Sequence, residues 1–288
     1  MGKDKKAIFE LKANSVMAGV VGYDLRNAID IKHKESDFSP IDSFISNGTE
    51  INKLFTATPS QVLGNLIILG YISAIESYFR ALFRRLILID DKCREACEKR
   101  QVSYGAVLAV DDLMLPEALF EDISFAGRKN LIDSFKNFLN LTLQDSQIPP
   151  DLQETLTQFS EICELRHCIV HRFGKFGSKN AISLGLNKHQ SHIEKPIKFD
   201  FTMLQQLVTV CHNTVRITNN LLMERILNRL LVEGSHKIPN PIWTWDFDKD
   251  KQLFGQYFDT FYSKLNPPKP KLTMQAAYSK YYKYYQSI

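Results

Sequence analysis

The longest apolar stretch of the chain, residues 62–89, constrains the fold more than any other segment. Its large apolar residues recur at helical spacing, and polar residues such as Asn65 and Ser73 interrupt the most apolar part. The longest apolar run, near residues 62–75, is too short for a membrane span, so we interpret the stretch as a buried helix over residues 61–91. A chain built around one long buried helix must supply other helices to cover it.

Glu76 is the misplaced charge on this helix. On a helical wheel it shares a face with Leu69, Ile72 and Phe79, which we expect to point into the core. A buried carboxylate is costly unless a cation meets it. The sequence therefore predicts a cationic partner for Glu76.

A second predicted helix, residues 151–173, has a residue of the opposite charge on its apolar face. Pro149 and Pro150 break the chain before it, Asp151 and Glu154 have the spacing of a capping box, and Gly174 should end it. This helix has a broad apolar face and a polar stripe.

Arg166 falls in the middle of that apolar face, whereas Glu164, His167 and His171 share the opposite stripe at offsets of three, four and seven residues. Two helices with one misplaced charge each, of opposite sign, favour an ion pair between Glu76 and Arg166. The alternative is that either long side chain reaches the edge of the bundle and is solvated there.

The run Arg166-His167-Cys168-Ile169-Val170-His171 resembles the motif of the HEPN superfamily, an arginine, a polar residue and, after three further positions, a histidine. Its place at the end of a long helix, the apolar helix upstream with residues 72–78, and a long helix downstream extend the resemblance over about residues 60–232. The resemblance implies an up-and-down helical bundle and a metal-independent endoribonuclease of a toxin or antiviral-defence type. It also implies a homodimer whose motif helices face each other across a cleft.

RNA cleavage without a metal needs a base for the 2′-hydroxyl, an acid for the departing 5′ oxygen and a fixed cation at the phosphorane. His171 suits proton transfer and Arg166 suits the phosphate, while His167 can orient His171 or bind phosphate. Glu76 and Glu164 would support these groups. Since Arg166 and His171 lie about 140° apart around a regular helix, they meet one phosphate only if the helix end unwinds or a second protomer completes the site.

Other functions stay open on the residues alone. Arg166 could simply hold Glu76 while the histidines form a polar seam. The chain could be a non-catalytic scaffold that binds a nucleotide or a partner, or a module that recruits a regulatory or antitoxin protein. No residue pattern predicts a cofactor, and the five cysteines lack the paired spacing of a zinc site.

The rest of the sequence predicts an all-α domain over residues 1–234 and an extension over residues 235–288. Further helices are expected over residues 7–32, 127–143 and 201–231, with a connector over residues 33–60 and an irregular excursion over residues 92–126. Alternating residues 181–186 and 193–199 predict a small β-hairpin. The charged start of the chain leads into no signal-peptide core, so we expect a cytoplasmic protein without a membrane segment.

The extension differs in composition from the rest of the chain. It has eight lysines against four aspartates, so the whole formal surplus of +4 lies within it, together with both tryptophans and five tyrosines near its end. Lysines interleaved with aromatic rings are typical of single-stranded RNA platforms. The alternative is that these rings dock on the chain's own helices or on a partner protein.

Overall fold

The computed structural model describes residues 21–288 and is mostly α-helical. Of the predicted first helix, residues 7–32, residues 7–20 lie outside the described residues, and residues 21–32 are not α-helical, so the prediction is wrong for that part. The chain divides into two units, Met1–Asp37 and Phe38–Ile288. In the described part of the first unit, Leu25–Ala28 form a 3₁₀ turn, and the Asp24 carboxylate caps it by accepting a hydrogen bond from the Arg26 amide.

The second unit begins with helix α1, Pro40–Asn52, where the sequence predicted a connector. That prediction is wrong because a Ser-Pro pair such as Ser39-Pro40 can begin a helix as well as break the chain. The Ser39 hydroxyl accepts a hydrogen bond from the Asp42 amide at 3.3 Å, and proline fits the first helical position.

Helix α2, Gln61–Ile89, is the central helix that the sequence predicted. By length and hydropathy it could cross a membrane, but 56% of its most apolar window is buried inside the protein, as in a core helix. Most other helices of the main core pack directly against α2, and the rest pack against those helices. Its largest fully buried side chains are Tyr71, Tyr78, Phe79 and Phe83.

The excursion after α2 is helical in short pieces: α3 is Asp91–Cys97, α4 is Tyr104–Ala109, and a 3₁₀ helix spans Leu115–Phe120. Helix α5, Arg128–Leu139, follows. Phenylalanines from these segments and from α2 pack edge to face, which closes one end of the core. The members of this cluster are Phe83, Phe120, Phe125, Phe135 and Phe138.

Helix α6, Pro150–Arg172, is the predicted motif helix, and a 3₁₀ turn at Asp145–Gln147 precedes it. The predicted capping box does not form. The helix begins at Pro150 with Pro149 at the N-cap, which has no side chain that can accept from the first turn, and Asp151 lies within that turn. Helix α9, Phe201–Arg229, packs along α6 and is capped by Asp200, whose carboxylate accepts from the Met203 amide at 2.8 Å.

The connection between α6 and α9 is a small helical lobe, residues 174–199. It contains α7, Ser178–Ser183, α8, Leu186–His189, and a 3₁₀ turn at Gln190–His192, so the predicted hairpin is wrong. Ala181 is fully buried against Cys168 and Phe176, which a helix allows and the apparent alternation did not reveal. Backbone bonds of strand type instead join residues 174–176 to residues 194–197.

After α9 the strands β1, Val232–Glu233, and β2, His236–Lys237, pair as an antiparallel hairpin in the described chain. Helices α10, Phe247–Phe261, and α11, Met274–Ser287, complete the second unit. They share the main core with the earlier helices, so packing continues across the change in composition at residue 234.

The aromatic residues of the extension dock on the chain's own helices, which was the alternative to an RNA platform. The Tyr281 hydroxyl donates to the Leu227 carbonyl at 2.7 Å, and the Tyr284 hydroxyl donates to Asn228 at 2.8 Å. Trp245 stacks on Tyr282 and Tyr285, with ring centroids 4.8 and 4.6 Å away. These rings are therefore engaged within the protein, although Tyr284 remains 44% exposed.

Candidate functional site

The motif helix borders an open cleft of about 420 Å³ between α5, α6 and α7. Arg166 and His167 line it from α6, and the amino end of α5 opens on it from the other side. A helix amino end favours anions, since its first amides and its dipole both present positive charge. The cleft thus has the electrostatic character of an anion site.

Four cationic side chains and one carboxylate, Glu164, line the cleft. The sequence prediction had included only Arg166 among the cations and missed Arg128, Lys129 and Lys179. The signal that could have found Arg128 and Lys129 is their position at the start of a helix, directly after Gly127. Arg128 is partly committed, because its guanidinium pairs with Asp145 at 2.6 Å.

Arg166 is half-buried in the wall of the cleft and does not point into a closed core. Within residues 21–288 no hydrogen bond or ion pair engages its guanidinium, whereas other arginines of the core are paired, such as Arg229 with Asp90. A half-buried arginine without a protein partner is suited to bind an anion from solution.

The predicted ion pair between Glu76 and Arg166 is wrong. Glu76 is half-buried, and its carboxylate accepts from the Ser124 hydroxyl at 3.1 Å and from the Phe125 amide at 3.3 Å. These bonds hold the segment that leads into α5, so Glu76 supports a wall of the cleft. Glu76 does lie on a partly buried face of α2, but its carboxylate is hydrogen-bonded by a loop from another part of the chain and not by a cation.

Glu164 joins α6 to α7. Its carboxylate accepts from the Asn180 amide at 2.6 Å and from the Ser183 hydroxyl at 2.8 Å, and Asn180 is buried. With both oxygens engaged, Glu164 positions the lobe.

His167 and His171 lie on one stripe of α6, as the spacing predicted. Their ring centroids are 4.5 Å apart. His167 is half-buried and lines the cleft, whereas His171 is exposed and does not line it. Helix α6 stays regular through Arg172, so the helix end does not unwind to bring Arg166 and His171 together in one chain.

The end of α6 is fixed by a left-handed cap. Phe173 has φ 53° and Gly174 has φ 80°, and the amides of both donate to the Cys168 carbonyl. A Cβ at Gly174 would lie 2.7 Å from the Asn65 side chain, so only glycine fits where α6 meets the start of α2. The glycine that was expected to end the helix also sets how closely these two helix ends pack.

Cys163 lies in the wall of the cleft beside Arg166. Burial, reinforced by the charge of Glu76, raises the pKa of this thiol to about 12. It is therefore a protonated wall residue near neutral pH and not a nucleophile. All five cysteines are free, and no cluster of three or more His, Cys, Asp or Glu side chains able to hold a metal occurs among the described residues.

Comparison with known proteins finds no relative. No protein-family model matches the chain, and neither a curated protein nor a solved structure is significantly similar to it. The likeness to HEPN proteins therefore depends on the motif residues and on the helices around them, and no related protein supports it.

Proposed function

We propose that this protein is a metal-independent endoribonuclease of the HEPN type that acts as a toxin or antiviral-defence effector in the cytoplasm. The observation that carries the proposal is Arg166, whose guanidinium lies in a cationic cleft and has no partner among residues 21–288. It directly precedes the first of two histidines whose rings are in contact. Such a guanidinium can bind the scissile phosphate and stabilise the charge that develops on it.

In the proposed reaction the 2′-oxygen attacks the adjacent phosphorus and the bond to the 5′ oxygen breaks. The products are a 2′,3′-cyclic phosphate and a 5′-hydroxyl end. One imidazole takes the proton of the 2′-hydroxyl, and another imidazolium gives a proton to the leaving 5′ oxygen. We assign proton transfer to His171 and assign His167 to orienting it or binding the phosphate. No cofactor takes part in this scheme.

We propose further that the active species is a homodimer with a composite site. In one chain His171 lies outside the cleft that contains Arg166, so a partner protomer would have to bring its own His171 to the shared phosphate. Exposed apolar side chains near the motif support such an interface, because they gain from removal from water. They are Val62 and Leu66 at the start of α2 and Val170 and Phe173 at the end of α6.

The test is incubation of the purified protein with end-labelled single-stranded RNA in excess EDTA. We expect fragments with 2′,3′-cyclic phosphate and 5′-hydroxyl ends, and no cleavage of the same RNA with 2′-O-methyl groups. Fragments with 5′-phosphate ends would contradict the mechanism. An intact RNA at all protein concentrations would contradict the activity.

The position of His171 also favours a second candidate, a non-catalytic scaffold. If the protein does not dimerise, Arg166 and His171 cannot act on one phosphate. The cationic cleft would then only bind a nucleotide or a partner such as a regulatory or antitoxin protein. A wild-type protein that binds RNA but does not cleave it would be this scaffold and not the nuclease.

A further inference from the structure

A second cavity of about 580 Å³ lies between α6, α9 and the lobe of residues 174–199. On the wheel of α6, the residues that line it fall on the side opposite to the residues that line the motif cleft. This volume is within the range of small-ligand pockets, which hold part of a ligand on an apolar floor and fix it with a few polar groups.

The floor of this pocket is apolar and its rim is cationic. Lys195 and Lys198 stand exposed at the rim, and neither forms an ion pair within the described residues. Nearby Glu194 is already paired with Arg172, which leaves Glu161 as the carboxylate that lines the pocket. The apolar floor comprises Ile162, Leu165, Ile197, Leu207 and Val210.

Rings and amides complete the lining. Phe176, His189 and His192 form a chain of ring contacts with centroids 5.8 and 5.7 Å apart, and Gln158 and Gln206 present side-chain amides. A flat aromatic body can lie on such a floor, its polar edge can bond the amides, and an attached phosphate can reach the lysines.

From this combination we infer that the pocket binds one unpaired nucleotide of single-stranded RNA, with the base on the apolar floor and its phosphate at Lys195 and Lys198. The lobe links this pocket to the motif cleft, because α7 contributes Lys179 and Ser183 to the cleft while the following Leu184 lines the pocket. The inference deepens the proposed function by giving it a subsite for a nucleotide away from the scissile phosphate.

Binding is measured separately from cleavage with a fluorescently labelled 2′-O-methyl RNA, which the proposed mechanism cannot cut. Fluorescence anisotropy of the full-length protein then gives the Kd. We expect Lys195→Gln combined with Lys198→Gln to raise the Kd by about tenfold or more. Lys188→Gln is the matched control, since Lys188 is exposed on the same lobe and does not line the pocket.

A second variant tests the pocket from the α9 side. Met203 is 41% exposed and lines the pocket, so Met203→Glu should repel phosphate there without disturbing the core. The neighbouring Gln205→Glu adds the same charge outside the lining and should leave the Kd within about twofold of the wild-type value. Circular dichroism melting confirms that each variant is folded.

Several results would overturn the inference. Wild-type affinity in both pocket variants, or equal affinity for a duplex of the same sequence, would exclude a base in this pocket. Displacement of the RNA by adenosine monophosphate with no dependence on RNA length would identify a free nucleotide as the ligand instead. If the wild-type protein binds RNA through this pocket but does not cleave unmodified RNA, the proposed activity is contradicted while the nucleotide subsite is supported.

Discussion

The imidazole rings of His167 and His171 are in contact, with centroids 4.5 Å apart, yet only His167 lines the motif cleft. The pair thus extends from the cationic cleft to the exposed surface at the end of α6. This geometry supports a division of roles in which His167 and Arg166 bind the phosphate and His171 acts on a group presented from outside the chain's own cleft.

The first prediction concerns His171. His171→Ala should slow RNA cleavage by about 10²–10⁴-fold, the usual contribution of general acid–base catalysis. Because the side chain is exposed, the melting temperature should stay that of the wild type. Cleavage rates and thermal melts of both proteins, at matched dimer content, check this. Equal rates would remove His171 from the mechanism.

Arg166 gives the second prediction. Since no protein group pairs with its guanidinium in the described structure, Arg166→Ala should change the free energy of unfolding by less than about 1 kcal/mol while abolishing cleavage. Lys136→Ala, which removes an exposed cation at the far end of α5, is the control and should retain both properties. A large loss of stability on urea unfolding would mean that Arg166 holds the fold.

Glu76 should behave as a structural residue. Glu76→Ala removes an acceptor for the Ser124 hydroxyl and the Phe125 amide and should cost about 1–2 kcal/mol of unfolding free energy. Glu76→Gln retains an oxygen acceptor and should cost less. In a double-mutant cycle with Arg166→Ala, we expect a coupling energy below about 0.5 kcal/mol, because the two side chains are not paired. A coupling of several times that value would restore the ion pair.

The proposed dimer interface is tested at Phe173, whose side chain is 77% exposed. Phe173→Asp should weaken self-association at least about tenfold in light scattering, and aspartate tolerates the left-handed backbone at this position. Tyr104→Asp is a matched control, with an aromatic ring 76% exposed on α4. A wild-type protein that stays monomeric at every accessible concentration contradicts the dimer itself.

The last prediction concerns how the free energy of unfolding depends on pH. It involves His212, a residue of α9 whose ring packs against the rings of Phe44 and Tyr71. Burial, aided by the charge of Arg216, lowers its pKa to about 4 from an ordinary value of 6.5. The unfolded chain therefore binds an extra proton between these values, and the free energy of unfolding should fall as the pH drops from about 6.5 to about 4.

The ring of His212 keeps some solvent contact, so we expect a loss of only about 1–2 kcal/mol from this residue over that range. His212→Phe preserves the ring packing and removes the titration. Urea unfolding at a series of pH values should give a flatter profile for the variant than for the wild type. Parallel profiles would show that His212 is not the titrating group.

The sequence by itself determined the helical class, the central apolar helix and the motif helix, because each depends on a periodicity that a single segment carries. The helices predicted over residues 61–91 and 151–173 are α2, Gln61–Ile89, and α6, Pro150–Arg172, in the structure. His167 and His171 share a stripe because helical spacing requires it. Local turn chemistry was less decisive. Ser39-Pro40 can end one element or begin another, and the segment around it was assigned to a connector for that reason.

Only the tertiary structure decided which groups meet. The charge of Glu76 was visible on the wheel, but its partners come from residues 124–125, some 50 positions away, and no local pattern specifies that approach. The cationic cleft is likewise assembled from α5, α6 and α7, so Arg128, Lys129 and Lys179 looked like ordinary surface charges in the sequence. Periodicity is a property of one segment, whereas a site depends on how segments distant in the chain pack against one another.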